Sequence, residues 1–290
     1  MAWMGYDAAS CHSNTNDGSV ATGVQHMNDD VTLSLRQIDG AWRLMCAGAP
    51  NPVVKSSEGI QYIFSGLPVS FFNLALLTGS GLSAETLSAR GREACTWAAA
   101  QSVPWMLVVT HERLESGVDA AATLDACGLT AVMPMTGMLA HSVAAAATVP
   151  GLQLTVPQDD SGCAAIVDVN ALAYGMDLEA SKVAIGSRTF WKDHFPVLGV
   201  TGGKPVSCAS VMMVDGLRYV ALVATEPSQQ RRGFADAAMR RALENAAKTH
   251  GERPTVLHAS EAGRPVYERM GYASISTHTL LMEKRFLEEH

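Results

Sequence analysis

No apolar run in this 290-residue chain approaches the roughly 20 residues that span a bilayer, and its first residues carry no basic-then-apolar signal pattern. The reading is a cytoplasmic protein without membrane contact. Positive charge is also in short supply, with 21 Lys and Arg against 28 Asp and Glu and a net charge of −7. A general binder of nucleic acid or of membrane surfaces needs a basic field, so both classes are set aside and any anion site must be local. The six cysteines, at 11, 46, 95, 127, 163 and 208, include no CxxC or zinc-knuckle spacing. They read as free thiols in a reducing compartment. Charged residues make up only 17% of the chain and apolar ones 48%, which suits an ordered, compact protein with a sizeable core.

Residues 1–28 are polar, rich in Ser, Asn, Gly and Asp, and without a period, so a loose tail is expected, with Met27 a candidate natural start. From Asp29, N-cap residues precede Val31, Leu35, Ile38, Trp42 and Met45 at helical spacing. Strand-like "IQYIFSG" and "FFNLALL" follow, then a helix near 83–100, the strand "WMLVVT", and a helix stopped by Gly128 before a final strand. "HERLE" at His111 begins like a zinc helix but has Glu115 where a second His is needed, so no metal is expected.

From Leu152 the theme restarts. A strand, helices over 161–174 and 179–185, and a three-strand meander turning at Gly202-Gly203 and Asp215-Gly216 lead to "TEPSQQRRGFADA". There a buried strand enters a tight turn that opens straight into a helix placing Ala235, Ala238, Ala242 and Ala246 on one face. The first turn of a helix leaves its N–H groups unpaired, and the helix dipole adds positive potential, so this turn is an anion site. Gly233 admits a phosphate where a Cβ would collide, Ala235 keeps the next turn thin, and Arg231 and Arg232 add mobile positive charge. Arg240 and Arg241 read as a solvated helix face. The closing segments are a strand "TVLHAS", a short helix "GRPVYERM" and a strand "YASISTHTLLME".

Gln230-x-x-Gly233-x-Ala235, preceded by Pro227 and trailed about thirty residues later by "TVLHASEAGRPVYERMGY", resembles the acyl-CoA signature and second motif of the GNAT superfamily of N-acyltransferases. The resemblance covers about 151–285 well and 29–150 only in element order. It implies an α/β protein with mixed sheets flanked by helices, built as two tandem GNAT-like domains. A degenerate one at 29–150 lacks a cofactor loop, and an acyl-CoA-binding one occupies 151–290. The cofactor implied is acetyl-CoA as co-substrate, with the loop amides of Gln230, Arg231, Arg232, Gly233, Phe234 and Ala235 holding its diphosphate. The backbone around Val223 and Thr225 would pair with the pantetheine arm. Ser260 stands where many members carry Asn, and Gly263 where many carry Ala, which weakens the contact expected from that strand.

Tyr267 occupies the position of the family's thiolate-protonating Tyr, and a phenol with an ordinary pKa near 10 suits that donation. The position of the family's strand Glu falls at about Tyr219, a poor base. His258, which shares a face with Ser260 by strand alternation, is the candidate base, with a water chain as an equal rival. "NALAYGMDLEASK" suggests that Tyr174 and Glu179 touch substrate, while "FWKDH" is a pocket wall or a loop anchor. The implied reaction is acetyl transfer to a primary amine of a small molecule by direct attack. A protein or peptide amine and a non-catalytic acyl-CoA sensor are the alternatives, and a homodimer is left open.

Overall fold

The computed structural model describes residues 17–146 and 148–287. Helix α1 (Asp17–Cys46) is followed by β1 (Val53–Ser57), β2 (Ile60–Phe64), β3 (Asn73–Leu77), α2 (Ala84–Ala99), β4 (Met106–Thr110), α3 (Ala120–Asp125) and β5 (Leu129–Ala140). The second half runs β6 (Gln153–Thr155), α4 (Asp160–Tyr174), α5 (Leu178–Ile185), α6 (Arg188–Trp191), β7 (Phe195–Thr201), β8 (Lys204–Val214), β9 (Leu217–Thr225), α7 (Phe234–His250), β10 (Thr255–Ser260), α8 (Arg264–Arg269) and β11 (Ala273–Glu283). No helix among the described residues is long and apolar enough to cross a membrane.

The helix expected from Asp29 begins at Asp17, so residues 17–28 of the expected tail are helical and residues 1–16 lie outside the described residues. Once a nucleus exists, each further residue adds one backbone hydrogen bond, and a polar segment without proline extends such a helix. Val31, Leu35, Ile38, Trp42 and Met45 are all buried, as their spacing predicts. Edge strand β1 and the single turn α6 were not legible in the pattern. In α6, Phe190 and Trp191 are buried in the core, which makes "FWKDH" a loop anchor.

Among the described residues eleven strands form one mixed sheet in the order β1-β2-β3-β4-β11-β5-β10-β9-β8-β7-β6. Only β3/β4 and β9/β10 pair in parallel; every other neighbour is antiparallel. The two halves exchange their last strands. β5, from the first half, lies between β11 and β10, and β11, from the second, lies between β4 and β5. Neither half completes its part of the sheet alone.

Each face of the sheet is covered by helices. On one face α1 crosses both halves, and Ile38, Trp42 and Met45 join Ile166, Ile185, Met212 and Tyr219 in one core. On the other face α2 and α3 cover β2–β4, while α7 covers β7–β9 through Ala238, Met239, Ala242 and Leu243. Burying a side chain of the size of Ile38 or Met45 stabilises by about 1.5–3 kcal/mol, which explains why the long α1 stays docked.

Candidate active site

Strands β9 and β10 pair only at Arg218–Thr255 and Tyr219–Val256 and then part. β10 continues to its end against β5, through Ser260–Met135, while β9 stays with β8. The result is a V-shaped gap, open toward Thr225 and Ser260. Across from Cys208 and Ser210, β9 carries one extra residue between Ala221 and Ala224, and Leu222 takes a φ of 53°. Such a bulge re-aims the backbone on either side of it, here at Val223. The Tyr174 hydroxyl, from the end of α4, donates to the Val223 carbonyl at 2.5 Å. Tyr174 therefore reaches the gap, whereas Glu179 is exposed and pairs with Lys182 at 3.3 Å.

Beyond Thr225 the chain makes a short turn at Pro227–Gln229 and reaches α7, whose N-cap is Gly233 with φ 78° and ψ 8°. The first helical bond runs from Ala237 N–H to Gly233 O, and among the described residues the amides from Gln230 to Asp236 meet no acceptor. Arg231 holds a φ of 62°, a left-handed conformation that costs a non-glycine residue about 1–2 kcal/mol. At Gly233 a Cβ would find only Val149 Cγ2, at 4.0 Å, so the space in front of this turn is open. Arg231 and Arg232 are exposed; Arg232 donates to Gln229 and lies 4.6 Å from the centre of the Phe234 ring. Phe234 itself is buried, so only its backbone faces the turn. Arg240 is not a solvated residue: it pairs with Asp236 at 2.9 Å and donates to the Ala144 carbonyl at 2.7 Å, pinning the inter-half segment to α7.

On the opposite wall, Tyr267 from α8 is half-buried, its ring 6.1 Å from that of Tyr272. Burial, with smaller contributions from Tyr174 and Tyr272, pushes its phenol above the ordinary range, so it is a protonated donor at neutral pH. A Cβ on Gly263 would sit 3.1 Å from Tyr267 Cε2, so the absence of a side chain there is what lets this ring pack. Ser260 Oγ accepts from the Gly263 N–H at 3.3 Å, a local turn contact.

His258 departs from the expectation of a free base. It points under α1, where Nδ1 meets Tyr219 Oη at 3.0 Å and Nε2 meets Ser34 Oγ at 2.8 Å. Burial and, secondarily, His278 pull its pKa well below the ordinary value. Both ring nitrogens are occupied, which leaves no lone pair for a substrate proton. The residues around it, Ser34, Thr110, Tyr219, Ser276 and His278, were missed as site residues because they come from four elements. Their signal in the sequence was polarity at buried-face positions, such as Ser34 within the apolar stripe of α1.

Residues 191–281 match the family model described as an acetyltransferase (GNAT) domain. The match lies wholly within the second half of the chain. Among solved structures, the chain is similar to a GCN5-related N-acetyltransferase from Kribbella flavida (19% identity, TM-score 0.63, 87% of this chain and 94% of that one). It is similar also to a GCN5-related N-acetyltransferase from Sphaerobacter thermophilus (15% identity, TM-score 0.56, 77% and 76%). A third is a tandem GNAT protein from the clavulanic acid biosynthesis pathway (14% identity, TM-score 0.52, 88% and 95%). No curated protein matches the chain in sequence. The splayed β9/β10 pair and the turn before α7 lie within the matched GNAT segment, and the similarity in fold to a tandem GNAT protein extends over both halves.

Proposed function

We propose that the chain is an N-acetyltransferase that moves the acetyl group of acetyl-CoA to a primary amine of a small molecule by direct attack. The observation that carries this reading is the conjunction at α7 of unpaired amides from Gln230 to Asp236, the open face of Gly233, and a strand pair that parts beside it. Those amides, helped by Arg231 and Arg232, would hold a diphosphate. The backbone of β9 around Val223 and Thr225 would take the pantetheine arm, which requires Tyr174 to release the Val223 carbonyl.

Tyr267 is the proposed proton donor to the departing sulfur, a role that its protonated phenol fits. The proposed base is a water rather than His258, because the nitrogens of that ring are already engaged. Holding amine and thioester together would supply most of the acceleration, since alignment replaces a bimolecular encounter. In the first half the corresponding place between β3 and β4 is bridged by Leu82 and Leu114, with Leu82 N–H donating to Arg113 O. We therefore assign the cofactor to the second half alone, with the first half as its cover and strand donor.

The test is thiol release from acetyl-CoA in the presence of amino acids, polyamines and aminoglycosides, on the wild type and on Tyr267→Phe. Amine-dependent release that falls in the variant supports transfer. Binding of CoA without release on any amine makes the chain a sensor instead.

A further inference from the structure

Beside the turn that opens α7 lies a cavity of about 350 Å³, large enough for a small molecule. One wall is α7 itself, through Ala237 and Arg241; the facing wall is the chain that links β5 to β6, through Thr148, Val149 and Leu152, with Leu154 of β6. That linking chain is fixed to α7 before it reaches the cavity. Ala144 O accepts from Arg240 Nη1 at 2.7 Å, and Ala146 N–H donates to Glu244 Oε1 at 2.9 Å.

The cavity and the turn share a side chain. Val149 lines the cavity, and its Cγ2 is the atom that a Cβ on Gly233 would meet, at 4.0 Å. Ala237 and Arg241 stand one and two turns into α7 from Gly233, about 6 and 12 Å along the axis at a rise of 1.5 Å per residue. A nucleoside joined to a diphosphate at the turn therefore reaches the cavity.

Its lining has two kinds of chemistry. Val149, Leu152 and Leu154 are aliphatic and each is only half-buried, so the cavity holds apolar surface that a flat, weakly polar ring would cover. Arg241 supplies the charge. Glu244 Oε2 takes its Nε–H at 3.2 Å and orients the guanidinium, while among the described residues its two Nη atoms meet no acceptor. Both oxygens of Glu244 are engaged, one by Arg241 and one by Ala146, and the nearby Asp236 is matched by Arg240. The open edge of the Arg241 fork fits a phosphate.

We infer that this cavity receives the adenosine end of the coenzyme, with the adenine against Val149, Leu152 and Leu154 and the 3′-phosphate on Arg241. This rests on the acyl-CoA reading and goes beyond it, because the wall from Thr148 to Leu154 lies outside the matched segment 191–281. The chain that links the two halves is then part of the cofactor site. Such a subsite acts on cofactor affinity and not on the chemical step, since it binds a part of the coenzyme that does not change during transfer.

Calorimetric titration of the full chain with CoA, dephospho-CoA and 4′-phosphopantetheine tests it. The wild type should hold CoA roughly tenfold more tightly than dephospho-CoA, which lacks only the 3′-phosphate. Arg241→Gln should abolish that difference and leave dephospho-CoA binding as it was. Thr148→Trp, at an exposed position on the rim, sets a large ring in the cavity. It should weaken CoA and dephospho-CoA at least tenfold, while 4′-phosphopantetheine, which has no adenosine, binds as before. In the thiol-release assay the saturated rate should stay at the wild-type level in both variants. Equal wild-type affinity for CoA and dephospho-CoA, or undiminished CoA affinity in Thr148→Trp, overturns the inference and leaves the acyl-transfer reading standing. A wild type that binds none of the three ligands overturns that reading and the inference with it.

Discussion

Gly137→Ala is the sharpest perturbation of the interior. The added methyl would meet Ser276 Oγ at 2.2 Å, Ser34 Oγ at 2.4 Å and His258 Nε2 at 3.2 Å, in a strand hydrogen-bonded on both sides to β10 and β11. The backbone cannot retreat, so the two serines must rotate away. That breaks the Ser34–Ser276 contact and frees the Nε2 atoms of His258 and His278 in a buried site. Each buried polar group left unpaired costs about 1–3 kcal/mol, and residual overpacking costs about 1–3 kcal/mol more. With partial relaxation the expected loss is about 3–5 kcal/mol, a large share of the roughly 5–15 kcal/mol that stabilises a typical fold. Urea denaturation followed by tryptophan fluorescence measures it. In a Ser34→Ala background the penalty should shrink, because one obstacle is gone and the two sites are coupled. A loss below about 1 kcal/mol for Gly137→Ala alone would refute the close packing argued here.

Other outcomes follow from the same geometry. Gly233→Glu should weaken CoA at least tenfold by calorimetry, since it sets a carboxylate before the amides of Gln230 to Ala235, whereas Gly233→Ala, which meets only Val149 Cγ2 at 4.0 Å, should mainly cost stability, about 1–2 kcal/mol for its φ of 78°. Tyr267→Phe should lower thiol release with CoA affinity unchanged, and in the wild type no loss of rate from Tyr267 ionisation should occur below its ordinary value near 10, because burial raises it. The unfolding free energy should decline as pH falls from 6.5 toward 3: the unfolded chain then binds protons that His278, with its native pKa near 3, and His258 refuse. His278→Asn should flatten that decline in a pH series of urea melts. A fragment of residues 151–290 lacks β5, the strand between β10 and β11, so it should fail to give a cooperative melt until residues 1–150 are co-expressed.

Local pattern carried much of this architecture. The spacing of Val31 to Met45 marked α1, Gly202-Gly203 and Asp215-Gly216 marked the meander, and the pattern around Gly233 marked the turn that opens into α7, because each is written within a few consecutive residues. What was not legible is written across the sheet. The exchange of β5 and β11 depends on pairing between Leu129–Ala140 and Ala273–Glu283, which alternation within either strand does not specify. The start of α1 at Asp17 reflects helix propagation rather than any apolar stripe. His258 was correctly placed on the face of Ser260, yet its role changed, because a one-dimensional reading cannot see Ser34 arriving from α1 more than two hundred residues away. Arg240 likewise looked solvated until the 141–146 segment was laid over it.

The most direct measurement is calorimetric titration of CoA into the full wild-type chain. The account predicts saturable binding of one CoA per chain, because the amides before α7 are open while the matching place in the first half is bridged by Leu82 and Leu114. No binding, or two equivalent sites per chain, would contradict it.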